Sequence, residues 1–482
     1  MQDMSADQSA QYALKGSFVQ IRSERKKKSY LIGGIALFCC LVALTGCRHR
    51  VQQNPQPEPV PPKQYPSGST RQSEARSPQW WLSFNDPLLS QYIEKALGAN
   101  FTLKEGAARL KQTGLVAQQV DADQYPALDA GLQGNTDWED NDLVFSERIG
   151  VTFSWEADLW GRLAAASQAA ALDSQAEKEA LAELSLALSL EVAQAYYELI
   201  EQSLLWDLIQ RQIAVDTTSH DLVKLRFANG TVSSADVLQQ EELLASVKAQ
   251  LPPIQARLIV LRHRLHILQG RMPDSKVLPV AKVLPEIPPL PVLGIPADLL
   301  LHRPDLRKLG QEVAAADYRV AEAAAERLPS LKLGASAALS SGDLLLSIFA
   351  EALATVLDWD QRKNEVERRK AQVEEKMAAW AQAYLEAVEE VENFLSQEQE
   401  QGKLIIALQE QLRVAEALLE QTRNRYLHGV TDYLPVLTAL VSVQKLERSL
   451  IRQQWEQLNS RLQLYHALGG SPVALHSFAS LP

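Results

Sequence analysis

The chain has 482 residues, enough for about three average domains or for one elongated repeat protein. Its 48 Lys and Arg against 59 Asp and Glu leave a net charge of −11, which excludes the basic surface that nucleic-acid binding requires. Hydrophobic residues make up 46% of the chain, which supports a folded core, and only one long apolar run is present, which excludes a polytopic helical membrane protein.

The first 46 residues have the pattern of a secretory signal. A basic block, Arg25–Lys28, precedes the apolar run 31–43, which is short for a membrane span. The sequence Leu44-Thr45-Gly46-Cys47 follows and resembles the bacterial lipobox. We therefore predict a lipoprotein signal peptide over 1–46, and a covalent lipid on Cys47 as the only bound group. An uncleaved signal-anchor helix over about 30–46 remains the alternative.

The polar, Pro-rich residues after Cys47 predict an extended linker over 47–79. Beyond the linker, the chain contains an internal repeat. Arg226–Gly230 and Arg425–Gly429 match at a displacement of 199 residues, whereas Pro126-Ala127-Leu128 and Pro329-Ser330-Leu331 match at 203. Four additional residues therefore fall between Gly131 and Trp160 of the first repeat, where we expect a loop.

The predicted first repeat covers 80–275. Helices over 86–124, with an N-terminal signal at Asp86, precede a β-hairpin over about 128–156 with an acidic turn at Asp137–Asp142. Long helices follow over 160–228 and 232–269, the second interrupted at Pro252-Pro253.

A Pro-rich linker over 276–296 leads to the predicted second repeat, 297–470, and a C-terminal tail, 471–482. The second repeat has the same order of elements: helices over 297–327, a hairpin over about 331–357, and long helices over 359–428 and 431–468, the last interrupted at Pro435. Its second strand, 344–357, is rich in Ala, so a helix is the alternative there.

The strands alternate apolar and polar residues, as in Leu128, Ala130 and Leu132 against Asp129, Gly131 and Gln133. Four such strands are too few to close a barrel, so several copies of the chain must share one. An apolar outer face is typical of barrels in lipid. A helix over 160–227 would be about 100 Å long, which suits a tube that crosses the periplasm.

Together with this repeat, a set of motifs resembles the TolC-like outer-membrane efflux factors, and the lipobox places the chain nearest their OprM and NodT lipoprotein branch. The motifs are Trp80-Trp81, Asp86-Pro87-Leu88-Leu89, Arg303–Arg307, Arg425-Tyr426 with Gly429, and Tyr433-Leu434. The resemblance implies an α+β membrane protein: a homotrimer with a long periplasmic α-helical barrel and an outer-membrane β-barrel to which each protomer contributes four strands.

The resemblance also implies a function. It predicts a passive conduit that is anchored in the outer membrane, extends into the periplasm and exports drugs, toxic compounds or metal ions. Its expected partners are outer-membrane lipid, a periplasmic adaptor and an inner-membrane transporter, commonly of the resistance-nodulation-division type. Two alternatives remain: a conduit for type I protein secretion, and a periplasmic coiled-coil adaptor or scaffold.

The resemblance places adaptor docking at the two Gly-centred turns and a gate just inside them. Docking residues are expected to be Arg226, Gly230, Arg425, Tyr426, Gly429 and Tyr433. The family often has an acidic residue at the position of Thr438. Because Thr cannot form an acidic ring, Asp236, alone or paired with Arg226, and Asp432 are possible substitutes. The gate candidates are Asp236, Leu434, Thr438 and Val441.

Sequence motifs of enzymes are absent. The only Gly-Lys pair, Gly402-Lys403, lies deep in a predicted helix, so no phosphate-binding loop is expected. His263 and His266 have helical spacing but no acidic or thiol third ligand close in sequence, so no metal site is predicted. We therefore expect neither an enzyme nor a cofactor.

Overall fold

A computed structural model describes residues 51, 79–139, 142–274, 278–291, 296–340, 343–353 and 358–470. The predicted signal peptide, Cys47, the C-terminal tail and most of the linker over 47–79 lie outside the described residues. The described chain forms two compact units. One contains 118–169 and 316–373, and the other contains 79–117, 170–315 and 374–470 without the gaps given above.

The first unit contains a four-stranded antiparallel sheet. Its strands are β1 (Ala127–Glu139), β2 (Asp142–Ala157), β3 (Ser330–Ser340) and β4 (Asp343–Leu353), in the order β1-β2-β3-β4. The prediction that residues after 344 form a strand is confirmed up to Leu353, and the helical alternative is wrong. Residues 354–357 lie outside the described residues.

The prediction that the four additional residues form a loop in the first hairpin is wrong. β1 and β2 contain 13 and 16 residues, whereas β3 and β4 contain 11 each. Glu139 pairs directly with Asp142, so only two residues separate the strands. The predicted acidic turn therefore belongs mostly to the strands, because the additional residues extend the ladder instead of leaving it.

The strand register places all the predicted apolar positions on one face. Val151 lies between Ala130 of β1 and Ala337 of β3, and Ala337 pairs with Leu346 of β4. The larger side chains of this face are open to solvent: Leu128, Leu132, Ile149, Val151, Phe153, Leu339, Leu344, Leu346 and Ile348 are 38–91% exposed. The opposite face carries polar residues such as Asp129, Gln133 and Thr152, together with Leu345, Phe349 and Leu353 of β4. On this face the hydroxyls of Ser336 and Ser347 form a hydrogen bond of 2.7 Å.

The second unit is helical. Its two longest helices begin within the residue ranges of the first unit. In chain order the helices are α1 (Pro87–Ala99), α2 (Phe101–Ala122), α3 (Arg162–Ala228), α4 (Ser234–Lys248), α5 (Leu251–Leu268), α6 (Leu299–His302), α7 (Pro304–Ala325), α8 (Gln361–Leu427) and α9 (Leu434–Ala467). α3 and α8 have 67 residues each, a length of about 100 Å at 1.5 Å per residue. No helix within the described ranges is long and apolar enough to cross a membrane.

The prolines act where helices begin. The predicted interruption at Pro252-Pro253 is confirmed, since α4 ends at Lys248 and α5 starts at Leu251 with Pro in its first turn. The predicted interruption at Pro435 is wrong. Pro435 lies in the first turn of α9, where a missing N–H costs nothing because that donor has no helical acceptor.

The two repeats use equivalent contacts to hold their opening helices. Asn100 caps α2 through its side-chain oxygen and donates its amide to the carbonyl of Leu268, at 2.9 Å. In the second repeat, Arg303 donates to the carbonyl of Ala467, 199 residues after Leu268, at 3.2 Å. Asn100 and Arg303 differ in side-chain chemistry, but each binds the carbonyl at the equivalent position of its own repeat. This equivalence confirms the tandem repeat in three dimensions.

Candidate functional site: the helix-turn-helix tips

Both long helices end in the same backbone motif. After α3, Gly230 adopts φ 67° and donates to the carbonyl of Phe227 at 2.9 Å, while Thr231 N–H donates to that of Arg226 at 3.0 Å. After α8, Gly429 adopts φ 74°, and the equivalent bonds are 3.0 and 2.9 Å long. This pair of bonds is the Schellman motif, which requires a left-handed residue and therefore favours Gly.

The helices that follow begin differently. Ser233 and Asp236 form a capping box at the start of α4: the Asp236 carboxylate accepts from Ser233 N–H at 2.9 Å, and Ser233 Oγ accepts from Asp236 N–H at 3.3 Å. Tyr433 precedes α9 and makes no side-chain cap. The Asp236 carboxylate thus stabilises a helix start in the first repeat.

An aromatic cluster joins the two repeats beside the turns. Its buried members are Val223, Tyr426, Tyr433 and Val436. The rings of Tyr426 and Tyr433 lie 5.2 Å apart, and the Arg226 guanidinium lies 4.5 Å above the Tyr426 ring. A cation over an aromatic face is worth about 0.5–1 kcal/mol at an exposed site.

The structure separates the predicted site residues into two groups. Tyr426 and Tyr433 are buried in the cluster, at 6% and 4% exposure. Asp236 is bound to Ser233, and Arg226 lies over Tyr426. The suggested pairing of Asp236 with Arg226 stays a prediction.

The other predicted residues are accessible. Gly230, Gly429, Arg425 and Asp432 are exposed at the turns. Leu434, Thr438 and Val441 are exposed and lie at i, i+4 and i+7 along α9, so they share one face of the helix. Thr438 Oγ1 donates to the carbonyl of Leu434 at 2.9 Å. Docking and gating at these positions remain predictions.

A buried polar layer lies next to the aromatic cluster, and the sequence analysis did not find it. We call it the Asp216 layer; its members are Gln212 and Asp216 of α3, Gln240 of α4, and Gln444 and Arg448 of α9. Asp216 and Gln240 are fully buried, and Gln444 is 3% exposed.

Hydrogen bonds connect the Asp216 layer across the three helices. Gln444 donates to Asp216 Oδ1 at 2.8 Å, and Arg448 donates to Gln212 Oε1 at 2.6 Å. Gln240 donates to the backbone carbonyl of Asp216 at 3.2 Å and accepts the hydroxyl proton of Tyr433. Tyr433 therefore belongs both to the aromatic cluster and to this network.

The electrostatics of the layer follow from its burial. Desolvation raises the pKa of Asp216, and this effect is opposed in part by the hydrogen bond from Gln444 and by the charge of Arg448. Burial also raises the pKa of Tyr433, which keeps its hydroxyl a donor. A signal in the sequence was available: Gln212 and Asp216, like Gln444 and Arg448, are four residues apart, so each pair shares one helix face.

Within the residues that the structure describes, no group of three or more His, Cys, Asp or Glu side chains is arranged to hold a metal ion. His266 Nδ1 instead accepts the backbone N–H of Asp274 at 3.1 Å. Cys47 lies outside the described residues, and its lipid stays a prediction.

Comparison with known proteins identifies one family. A model described as "Outer membrane efflux protein" matches residues 92–270 and 295–470, which are almost the whole of both repeats. Nodulation protein T of Rhizobium leguminosarum bv. trifolii is 26% identical over 452 residues, covering 89% of this chain and 96% of that protein.

Two further proteins show the same relationship. The solvent efflux pump outer membrane protein SrpC of Pseudomonas putida is 27% identical over 458 residues, covering 89% of this chain and 96% of its own. Among solved structures, the outer-membrane channel OprN superposes with a TM-score of 0.80 at 25% identity, covering 87% of this chain and 99% of that one.

Proposed function

Because this chain belongs to the outer membrane efflux protein family, we propose that it is the outer-membrane channel of a tripartite efflux system. Its fold is that of the trimeric TolC-like channels, with four strands and two pairs of long helices per protomer. In this role the protein is a passive conduit: it carries small molecules from an inner-membrane pump, and the pump supplies the energy.

The observation that carries this proposal is the sheet with one exposed apolar face. Ile348 is 91% exposed and Leu346 is 73% exposed on that face, whereas the opposite face carries Ser336 and Ser347 beside Leu345, Phe349 and Leu353. Apolar residues outside and polar residues inside are what a lipid-embedded, water-filled barrel requires. A periplasmic scaffold of coiled helices would have no use for such strands.

The partners and the anchor belong to the proposal as well. The exposed turns at Gly230 and Gly429 would contact a periplasmic adaptor, and a pump of the resistance-nodulation-division type would feed the adaptor. Cys47 would carry the lipid that holds the N-terminus in the outer membrane. The relatives support export of small organic molecules as cargo, since SrpC is named as part of a solvent efflux pump.

Two measurements test the function. The purified trimer should form ion-conducting channels in planar bilayers, and a strain that lacks the gene should become more susceptible to organic solvents and drugs. Re-expression of the wild-type chain should restore resistance. A protein that forms no channel and whose loss changes no susceptibility would contradict the proposal, and loss of secreted protein alone would favour the type I secretion alternative.

A further inference from the structure

The face of the sheet that carries Ser336 and Ser347, which we call the inner face, is not uniformly polar. Three large side chains of β4 lie on it at every fourth position, and we call them the β4 stripe: Leu345, Phe349 and Leu353. They are 48%, 44% and 56% exposed, respectively. At about 3.3 Å per residue, the stripe extends over about 26 Å along the strand.

Lipid cannot cover the β4 stripe. The neighbouring residues Leu346 and Ile348 lie on the opposite, apolar face of the sheet, because successive residues of a strand alternate between its two faces. In the proposed barrel the apolar face contacts lipid, and the inner face borders the water-filled lumen. The exposed apolar area of the stripe is therefore in contact with whatever passes through the lumen.

The strands beside β4 carry small side chains next to the stripe. Gly334 of β3 lies opposite Phe349, and Ser154 of β2 lies opposite Gly334. Ala338 of β3 lies opposite Leu345. Since these small residues cannot reach over their neighbours, the large side chains of β4 project furthest from the inner face.

The contact between Phe349 and Gly334 fixes the position of the aromatic ring. A Cβ added to Gly334 would overlap Cζ of Phe349 and would lie 2.7 Å from both Cε1 and Cε2, so the tip of the ring lies over the glycine. Phe349 nevertheless stays 44% exposed, which leaves the rest of the ring open to the lumen. An open aromatic ring binds apolar groups by stacking and binds cations over its face.

The charges of β4 on the inner face are all acidic. Asp343 lies two residues before Leu345, and Glu351 lies between Phe349 and Leu353. Each apolar side chain of the stripe therefore has a carboxylate about 7 Å away along the strand. β4 contains no basic residue.

The neighbouring strands do not reverse this charge. Lys332 of β3 lies opposite Glu351, but on its other side it lies opposite Glu156 of β2. Glu156 is bound by Arg162 at 2.7 Å. The charged residues on the inner face of the described strands are Asp129, Glu156, Asp343 and Glu351 against Arg148 and Lys332. Even with Arg162 included, this face keeps a net negative charge.

We propose that the β4 stripe and Glu351 form a contact site for lipophilic organic cations in the lumen of the channel, with Phe349 at its centre. This inference rests on the proposed function, since it requires the inner face to line a shared barrel. The apolar side chains favour bulky aromatic or alkyl groups, and the carboxylates favour a positive over a negative charge. A shallow site of this kind binds weakly enough for the cation to leave again, as conduction requires.

A purely structural role of Phe349 makes a different prediction. Aromatic side chains stabilise paired strands by covering a glycine on the neighbouring strand. If Phe349 did no more than cover Gly334, its truncation would lower the heat stability of the trimer and leave the interaction with cations unchanged.

Block of the single-channel current tests the site. Full-length trimers are inserted into planar bilayers in potassium chloride, and tetraphenylphosphonium is added as the probe. Tetraethylammonium is the reference probe, because it has the same charge but lacks aromatic rings. For the wild type we expect half-block by tetraphenylphosphonium at a concentration about tenfold lower than by tetraethylammonium.

Truncation of the central residue should weaken only the block by the aromatic probe. Phe349→Ala should raise the half-blocking concentration of tetraphenylphosphonium about fivefold and leave that of tetraethylammonium unchanged. The matched control is Ile348→Ala, which removes a large apolar side chain from the neighbouring position on the lipid face. Its block by both probes should match the wild type.

Glu351→Gln is a second variant of nearly the same shape, and it keeps the test decisive if Phe349→Ala does not assemble. It should raise the half-blocking concentrations of both probes about threefold, because both are cations. Unchanged block in Glu351→Gln would overturn the role of the carboxylate, and unchanged block in an assembled Phe349→Ala trimer would overturn the role of the stripe.

Failure of the site can be distinguished from failure of the proposed function. Wild-type trimers that conduct, but that both probes block at equal concentrations, would refute the cation site alone. A chain that forms no conducting trimer in the absence of either probe would refute the proposed function together with it.

Discussion

Asp216 is fully buried, and within the described residues its only side-chain bond is the one from Gln444. An apolar residue would pack there at lower cost, since burying a carboxylate requires desolvation. Buried polar residues between helices set the axial register of those helices, as a single Asn does in coiled coils. We therefore infer that Asp216 and Gln444 position α9, and with it the exposed face that carries Leu434, Thr438 and Val441.

Replacing both Asp216 and Gln444 should change the gating of the channel without lowering the stability of the fold. The double variant Asp216→Leu/Gln444→Leu should be as heat-stable as the wild type or more so, because an apolar contact replaces a buried polar one. Its open probability in planar bilayers should rise about tenfold, which corresponds to the loss of about 1.4 kcal/mol, the net value of one buried hydrogen bond.

The matched control for that variant is Glu201→Gln. Glu201 is also buried on α3, but it accepts its hydrogen bond from Gln202 of the same helix, and Arg452 and Glu456 of α9 act on it only through their charges. Its open probability should match the wild type. Unchanged gating in the double Leu variant would refute the positioning role of Asp216.

Glu201 itself should make stability depend on pH. Burial, with a smaller contribution from nearby carboxylates, raises its pKa from 4.5 to about 7. Below pH 4.5 the Glu201 carboxyl is protonated in both the folded and the unfolded chain, so no charged group has to be desolvated on folding. Between pH 4.5 and 7 only the unfolded chain ionises, so stability falls as pH rises, by about 3 kcal/mol in total.

Glu201→Gln should remove this dependence. Thermal unfolding of the detergent-solubilised trimer should show the variant close to the wild type at pH 4 and more stable at pH 8. A wild-type profile that is flat between pH 4.5 and 7, or one that the variant shares, would show that the carboxylate is ionised in the folded chain.

Among the secondary structures, the two Gly-centred turns show how the repeat constrains single positions. Gly230 and Gly429 have φ near 70°, and a Cβ added to either would meet no atom within 4 Å. Gly is therefore required at these positions because of the left-handed backbone conformation, and not because a larger side chain would clash with a neighbour. The neighbouring helix starts differ in chemistry, which shows that only the left-handed residue is demanded by the turn.

Gly230→Ala and Gly429→Ala should each destabilise the tip by about 1 kcal/mol, because a left-handed backbone is costly for Ala. Thermal unfolding and copurification with a periplasmic adaptor would measure the effect. Gly98→Ala is the control: Gly98 lies within α1, has no positive φ and has open space around it, so Ala should be neutral or stabilising by up to about 1 kcal/mol. Equal losses in all three variants would contradict the explanation.

The assembled channel depends on the two faces of the sheet. Neighbouring residues of β4 point to opposite faces, so Ile348 faces the lipid side and Ser347 the polar side. A cation on the lipid side must be dehydrated or must bend toward the headgroups, whereas a cation in the lumen stays in water.

Ile348→Arg should therefore lower the stability of the inserted trimer by about 2–4 kcal/mol and reduce its amount in the outer membrane, whereas Ser347→Arg should be tolerated. Heat dissociation of trimers on gels would compare the two. If both variants assembled equally well, the apolar face would not be the one in contact with lipid.

The sequence by itself determined the tandem repeat, the order of its helices and strands, the apolar strand face and the two Gly-centred turns. These features depend on local backbone preferences and on periodicity, which can be read from neighbouring residues. The family relationship also follows from such local patterns, because the motifs that carry it are short runs of neighbouring residues, such as Trp80-Trp81 and Tyr433-Leu434.

Only the tertiary structure decided which residues meet across the chain. The Asp216 layer joins residues 228 positions apart, and its polar side chains look like solvated surface groups until three helices bury them. In the same way, the additional residues of the first hairpin extend its strands because pairing with the opposite strand satisfies their backbone groups, and the pattern along one strand cannot show that pairing.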